Sequence, residues 1–480
     1  MLFASLEFLI FFTIVFFLFF LFPGKARPAV LFVASLIFMA SFSITFLVYA
    51  GVFTLVNYFV ALYVEKEPGS RNRKFVYLAG QTFNIGGLVF FKYLNFIVEN
   101  LFLLIGIEQA NLGALGNIVL PLGISYYTFQ SISYLYLVYK SIDPAEKRFL
   151  NVALYTVFFP KIIAGPIARH RSFFLQLKSL PWAFDYQRVM DGARLFMWGM
   201  FKKIIIGDTL GVIVTKVYGN IEAYQGMSLV IVFIIQPLQL YFDFSGYTDM
   251  ALGLSRIFGI KLIDNFRRPF MAQTVSDFWR RWHISLSSWC NDFIYNRLLL
   301  KHRKWGKGAA IYAVFITFLV IGIWHGADWT FVILGVLQGI ALTYEFLSKR
   351  RRTGWSKSVP PFLYKWGSRV FVYFFFSISL VFFFSQNLSD AVHFFRYMPQ
   401  VSDILNTSYG FNIVHWELGM ALILAILCLL IETIYEDEKI DLLNWFTNLR
   451  RGYKWSFYFM WLFLVVFFSK NQLIFVYAEF

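Results

Sequence analysis

Long apolar runs without a single charge recur along the chain and dominate its pattern. Five examples are Phe8–Phe22, Ala309–Trp324, Phe371–Phe384, Leu418–Ile431 and Trp455–Phe468. Each run predicts the centre of a helix of about 20 residues, the length that crosses about 30 Å of hydrocarbon. The first run has neither a basic flank nor a small-residue cleavage site, so we expect a retained helix rather than a cleaved signal. The pattern therefore predicts an all-α polytopic membrane protein.

The basic residues fall in the loops between these runs and predict the topology. Lys349–Arg369 contains seven Lys or Arg residues, whereas Gln386–Asn412 contains only Arg396. By the positive-inside rule the first segment faces the cytoplasm and the second faces outward. Alternating such loops along the chain predicts about eleven membrane segments. Two of them, Phe75–Leu104 and Tyr155–Pro166, are candidates for broken or re-entrant helices.

Composition supports this assignment and excludes other classes of protein. The 480 residues are 59% hydrophobic and 15% charged, against about 45–50% and about 25% in soluble domains. A single soluble core, which stops growing near about 250–300 residues, would not hide so much apolar surface. The net charge of +16 lies in loops rather than in a stripe with interleaved aromatics, which argues against nucleic-acid binding. Without repeats or a long charged linker, we expect one membrane domain over residues 1–480.

Two histidines stand in unusual surroundings. His325, in GIWHGADW, directly follows an uncharged run, and ionisable groups at membrane depth usually face a cavity or a bundle interior. Its alternative role is a hydrogen bond to a neighbouring helix. His283 lies in DFWRRWHISLSSW, whose Trp and Arg pattern predicts a helix in the membrane interface or one dipping into a protein-lined cavity. The spacing of the two histidines matches no metal site, and we expect no metal.

Further polar groups interrupt apolar segments near the middle of the chain. The candidates for orienting a histidine or holding a substrate are Asp243, Ser245, Asp249 and Asp277. The first three lie in YFDFSGYTDMALG, and a structural polar network between helices is an equally good interpretation. The segment FFPKIIAGPIARH contains two prolines and a lysine, which is typical of a broken helix lining a cavity.

Together, DFWRRWHISLS, WHGADW, FFPKIIAGPIARH and YFDFSGYTDMALG resemble the membrane-bound O-acyltransferase (MBOAT) superfamily. The chain is most similar to the bacterial branch with the alginate O-acetylation membrane subunit, and it is related to the teichoic-acid D-alanylation subunit. The motif-rich core runs from about residue 120 to 347. The resemblance implies a helical bundle around a funnel or tunnel, with His325 as the catalytic histidine deep inside and His283 as the second motif histidine.

The resemblance also implies a reaction. An acyl group, most simply acetyl from acetyl-CoA or from an acylated carrier protein, passes from a cytoplasmic thioester toward hydroxyls of an exported cell-surface polysaccharide. The expected location is the bacterial cytoplasmic membrane, with an extracytoplasmic SGNH-hydrolase-like acyltransferase as partner and no tightly bound cofactor. An imidazole suits the role of base, so we assign His325 as general base and His283 to acceptor binding or oxyanion stabilisation.

Two alternatives remain from the sequence, and one further residue is a candidate. The stretch NDFIYNRLLLKHRKWGK departs from the acetyltransferase branch and keeps D-alanyl transfer to a teichoic acid open; a transporter is the rival from another class. The ending FVYAEF is similar to an FIYFxF terminus of this branch. It implies that Tyr477 could relay the acyl group near His325, unless the tail is an interfacial aromatic anchor.

Overall fold

The computed structural model describes residues 1–66, 70–106, 120–180, 183–400, 415–438, 446, 448–468 and 473. Within these ranges the chain folds into helices and contains no strand, which confirms the predicted fold class. Two compact units are formed, residues 1–197 with 248–263 and residues 198–247 with 264–480. The expectation of one membrane domain stays a prediction.

The first unit contains the N-terminal helices. They are α1 (Leu6–Leu21), α2 (Arg27–Ala40), α3 (Ile44–Lys66), α4 (Arg71–Leu88), a π-helical turn (Val89–Tyr93), α5 (Leu94–Leu104), α6 (Ile124–Tyr139), α7 (Phe149–Val157), α8 (His170–Lys178) and most of α9 (Tyr186–Met200). Packed phenylalanine rings form its core. Phe8, Phe38 and Phe159 are buried with ring centroids 5.9–6.3 Å apart.

The second unit contains the later helices. They are a π-helix (Phe201–Asp208), α10 (Thr209–Gly219), most of α11 (Met227–Ile257), α12 (Val275–Arg281), α13 (Ile284–Cys290), α14 (Asn296–Lys301), α15 (Lys307–His325), α16 (Trp329–Ser358), α17 (Pro361–Phe384), α18 (Leu388–Tyr397), α19 (His415–Glu438) and α20 (Arg451–Phe468). Short 3₁₀ turns at Ile221–Ala223, Pro269–Met271 and Arg303–Trp305 and a π-helical turn at Asn291–Tyr295 complete it.

Several helices are long and apolar enough to cross a bilayer. Within the described ranges there are seven, Ile44–Lys66, Arg71–Leu104, Met227–Ile257, Lys307–His325, Trp329–Ser358, Pro361–Phe384 and Trp416–Glu436. Two more, α1 and α2, are apolar but shorter. These helices support the prediction of a polytopic membrane protein, and the count of about eleven membrane segments stays a prediction.

The two segments expected to be broken behave differently. Residues 71–104 form one continuous helix that accommodates a π-helical turn. By contrast, α7 ends at Val157, and regular helix resumes only at His170. The side chain of Lys161 secures this break, because its buried ammonium donates to Gln130 Oε1 at 2.6 Å and to the Tyr155 carbonyl.

The Trp- and Arg-rich segment around His283 lies inside the second unit rather than on its surface. It forms the two short helices α12 and α13, whose residues Phe278, Trp282 and Leu286 are buried. The Trp282 ring lies 5.5 Å from Phe278 and 4.9 Å from Phe376 of α17. These contacts favour the interpretation that places the segment among protein side chains, and its position relative to the membrane stays a prediction.

Candidate active site

His325 is the last residue of α15 and is 5% exposed. Its Nδ1 lies 2.7 Å from the carbonyl oxygen of Ile321, one turn earlier in the same helix. Since a carbonyl can only accept, Nδ1 carries the proton in this hydrogen bond, and Nε2 of the neutral ring then holds the lone pair. The hydrogen bond within α15 therefore favours the tautomer in which Nε2 can accept a proton.

Three glycines allow the chain to turn tightly around His325. A Cβ on Gly322 would approach the Phe331 carbonyl oxygen to 2.4 Å, and one on Gly335 would approach the Phe318 carbonyl oxygen to 2.7 Å. These two glycines let α15 and α16 pack backbone against backbone, as small residues do between membrane helices. A Cβ on Gly326 would lie 1.9 Å from the Phe331 ring. The glycine after His325 is therefore required by sterics.

His283 occupies the sharp turn between α12 and α13. Its backbone is left-handed, with φ 43° and ψ 52°, a conformation that costs about 1–3 kcal/mol for a residue with a Cβ. Buried Asn265 holds this turn, because its carbonyl accepts from the Ile284 N–H at 2.9 Å and its side-chain oxygen accepts from the Ser285 N–H at 3.2 Å. The histidine is consequently fixed in place, and its side chain is fully buried.

Both histidine rings pack against one indole ring. The centroid of Trp324 is 5.0 Å from the His325 ring and 6.1 Å from the His283 ring, with steep interplanar angles of 72° and 69°. Phe244 of α11 packs edge-on against His283 at 4.8 Å. The structure therefore brings both sequence-predicted histidines into one site.

Burial lowers the pKa of His283 well below its usual value, and the positive charge that His325 can carry lowers it further. We expect His283 to stay neutral in the folded protein while the unfolded chain titrates near about 6.5. Since the unfolded state then binds more protons, stability is lost as the pH falls below about 6.5.

This dependence can be measured in detergent by thermal unfolding at pH 7.5 and pH 5.5. In His283→Gln the loss of stability on acidification should be smaller, by up to about 1.4 kcal/mol for each pH unit. The buried pair of His170 and Asp143 is present in both proteins and cancels from the comparison. An equal loss in the two proteins would contradict a neutral, buried His283.

An apolar pocket opens beside His325. Its lining comes from α11, α12, α15, α16 and α17 and consists of Leu240, Trp279, Trp282, Phe318, Ile321, Gly322, His325, Leu334, Gly335, Gln338, Phe376, Leu380 and Phe383. Its cavity volume is about 20 Å³, slightly above the roughly 10–15 Å³ that one water molecule needs. No carboxylate occurs among these lining residues. The arrangement suits a short apolar group next to a base.

Three of the polar residues predicted to orient a histidine or to hold a substrate contact basic side chains. Asp243 pairs with Lys203 at 2.7 Å, and Asp277 pairs with Arg281 at 3.0 Å. The Ser245 hydroxyl accepts from Lys202 at 3.0 Å. The tautomer of His325 is set by a backbone carbonyl, and the roles proposed for these acids and for Ser245 stay predictions.

The two remaining candidates are Asp249 and Tyr477. Asp249 is half-buried and belongs to the first unit, whereas both histidines belong to the second. Tyr477 lies outside the described residues. Its role as a relay therefore stays a prediction.

Sequence reasoning missed an ion cluster in the π-helix that follows α9. Lys203 is buried there and contacts both Asp208 and Asp243. Gly207 permits this, since a Cβ on it would lie 2.8 Å from the Asp243 backbone nitrogen of α11. The signal that could have revealed the cluster is the FKKIIIGD stretch, in which lysines and an acid interrupt an apolar helix.

Comparisons with known proteins show the family of this chain. The model of the membrane-bound O-acyltransferase family matches residues 135–386, a range that includes both histidines. The chain is 36% identical over 352 residues to a probable alginate O-acetylase of Pseudomonas putida, which covers 72% of this chain and 70% of that protein. It is 31% identical to a peptidoglycan O-acetyltransferase of Helicobacter pylori, with 77% and 73% covered. It is also 31% identical to a teichoic acid D-alanyltransferase of Bacillus subtilis, with 52% and 62% covered.

Proposed function

Because the chain belongs to the membrane-bound O-acyltransferase family and is an O-acyltransferase, we propose that it transfers acetyl groups toward a cell-surface polysaccharide. The donor is a cytoplasmic thioester, acetyl-CoA in the simplest case, and the acceptors are hydroxyls of the exported glycan. The observation that carries the choice of acyl group is the small apolar pocket beside the prepared Nε2 of His325. Relatives named alginate O-acetylase and peptidoglycan O-acetyltransferase support it.

The proposed chemistry uses His325 as general base. As the acceptor oxygen attacks the thioester carbonyl, Nε2 takes the hydroxyl proton, so the new C–O bond forms without a free alkoxide. The tetrahedral intermediate then expels the thiolate and restores the carbonyl, and the imidazolium returns its proton to the sulfur. No net proton is released. The neutral His283 packs against Trp324, and we propose that it helps to stabilise the developing oxyanion or to bind the acceptor.

D-alanyl transfer is the second candidate, favoured by the similarity to a teichoic acid D-alanyltransferase. A D-alanyl group carries an ammonium, which needs an anion or several acceptors when it is buried. The residues that line the pocket include no carboxylate, and the Gln338 side-chain oxygen already accepts from Trp279 Nε1 at 3.0 Å. The pocket therefore favours acetyl.

The setting of the reaction is also part of the proposal. We place the chain in the bacterial cytoplasmic membrane, with about eleven membrane segments arranged around a funnel that joins a cytoplasmic donor side to an outward acceptor side. An SGNH-hydrolase-like acyltransferase outside the membrane would complete transfer to the polysaccharide. The candidate relay Tyr477 belongs to this outward half of the reaction.

The experiment that tests the function is mass analysis of the cell-surface glycan from cells with and without this protein. We expect acetyl esters to disappear in its absence and to return on complementation. D-alanyl esters that disappear in their place would establish the second candidate. Unchanged esters of both kinds would contradict acyl transfer to the surface glycan.

A further inference from the structure

Helix α16 forms hydrogen bonds with the first residues of α12, the helix that precedes His283. The carboxylate of Glu345, only 7% exposed, accepts from the backbone N–H groups of Val275 at 2.6 Å and Ser276 at 2.9 Å, and from the Ser276 hydroxyl at 2.6 Å. These N–H groups open α12 and have no partner within their own helix. Thr274 accepts from the Asp277 N–H at 3.0 Å, so Glu345 completes the capping of this end.

The same face of α16 forms a second hydrogen bond with α12, two helical turns before Glu345. Gln338, 3% exposed, accepts from Trp279 Nε1 at 3.0 Å and donates from its own amide to Ser379 Oγ of α17 at 2.9 Å. Both ends of the Gln338 amide are therefore engaged. Its orientation is fixed, and with it the position of the Trp279 indole in the pocket wall.

These contacts matter because α12 is too short to be stable alone. Helices below about 12–15 residues are marginal in water, and α12 has seven residues. Helix α16 also packs through Gly335 against α15, at the level of Gly322 and one turn before His325. One helix thus contacts both the segment with His283 and the helix with His325.

We propose that Glu345 and Gln338 are positioning residues, which hold the His283 segment and the Trp279 wall of the pocket in register with His325. The consequence for catalysis rests on the proposed function, whereas the stabilisation of α12 by these hydrogen bonds does not. The competing explanation is that Glu345 serves only to neutralise Arg352, whose Nη1 lies 3.8 Å from the carboxylate. Arg352→Gln separates the two, because it removes that cation and leaves the three short hydrogen bonds.

Cys290, buried at the end of α13, provides a readout that needs no activity. With Cys428, the other cysteine, changed to serine, the rate at which a small thiol reagent labels Cys290 reports how often α12 and α13 open. Glu345→Ala and Gln338→Leu should raise this rate about 10-fold to 100-fold, since each leaves buried donors or acceptors unpaired. Arg352→Gln and the exposed neighbour Leu347→Ala should leave the rate unchanged.

Activity supplies the second readout and distinguishes a failed positioning role from a failed function. In transfer assays Glu345→Ala should lower kcat more than it raises the KM of the donor, and Glu345→Gln, which keeps one acceptor oxygen, should recover part of the rate. Variants are compared only where they elute as folded monodisperse protein, and Glu345→Gln serves the labelling assay if alanine does not fold. Labelling at the wild-type rate in Glu345→Gln and Gln338→Leu would overturn the proposal, as would an equal rise in Leu347→Ala. The labelling of Cys290 could rise in these variants while the unmodified protein shows no detectable transfer. That result would support the stabilisation of α12 by Glu345 and Gln338 and refute the proposed function.

Discussion

Replacing His325 with alanine should reduce acyl transfer by about 100-fold to 10,000-fold, the range that general-base catalysis contributes. The variant removes Nε2, the atom that the hydrogen bond from Nδ1 to Ile321 leaves with its lone pair. The backbone of α15 does not depend on that side chain, so the protein should still reach the membrane. The measurement is the initial rate of transfer by purified protein, together with the ester content of the surface glycan.

The chain offers a matched control for this experiment. His393 of α18 is partly buried and also contacts a backbone carbonyl, that of Tyr224, at 3.1 Å, but it does not line the pocket. His393→Ala should keep a near-normal rate. Wild-type transfer by His325→Ala would remove His325 from the mechanism, and a loss of transfer that accompanies a loss of membrane insertion would indicate a packing role.

The second large effect concerns stability. Lys203→Met should destabilise the fold by about 3–5 kcal/mol, the cost of leaving a buried charge without its partner. Its ammonium lies between the carboxylates of Asp208 and Asp243, both at most 2% exposed. We expect a markedly lower thermal midpoint in detergent and poor accumulation in the membrane.

Two further variants make the interpretation of Lys203→Met specific. The exposed Lys304→Met changes the same side chain where no ion pair is lost, and it should unfold like the wild type. Adding Asp208→Asn and Asp243→Asn to Lys203→Met removes the orphaned charges, so much of the lost stability should return. If Lys203→Met alone is as stable as the wild type, the cluster does not act as a buried ion pair.

The sequence predicted those features of the molecule that depend on a local pattern of residues. The uncharged runs Ala309–Trp324, Phe371–Phe384 and Leu418–Ile431 lie in helices long enough to cross a bilayer. The prolines around Lys161 predicted the break after α7. His325 was singled out because a polar ring next to a membrane segment is costly, and His283 because of the Trp and Arg residues around it. In each case the signal lies within a short stretch of chain.

The parts that could not be predicted depend on pairs of residues distant in the chain. An isolated Gln338 or Glu345 in an apolar helix reveals that a partner exists but not which one. The packing of His283 and His325 against the same Trp324 requires the turn at His283, where a non-glycine residue adopts a left-handed conformation. Propensity argues against such a turn, so only the tertiary contact with Asn265 explains it.

The hydrogen bond that orients His325 lies within one helix, and this bears on how the enzyme would respond to its lipid environment. Membrane helices adjust to thicker or thinner bilayers chiefly by changing tilt as rigid rods. A donor and an acceptor one turn apart in α15 move together during such an adjustment. The protonation pattern of the base should therefore be the same in short-chain and long-chain lipids. Any effect of acyl-chain length in reconstituted vesicles would then originate in the pocket walls, which four other helices supply.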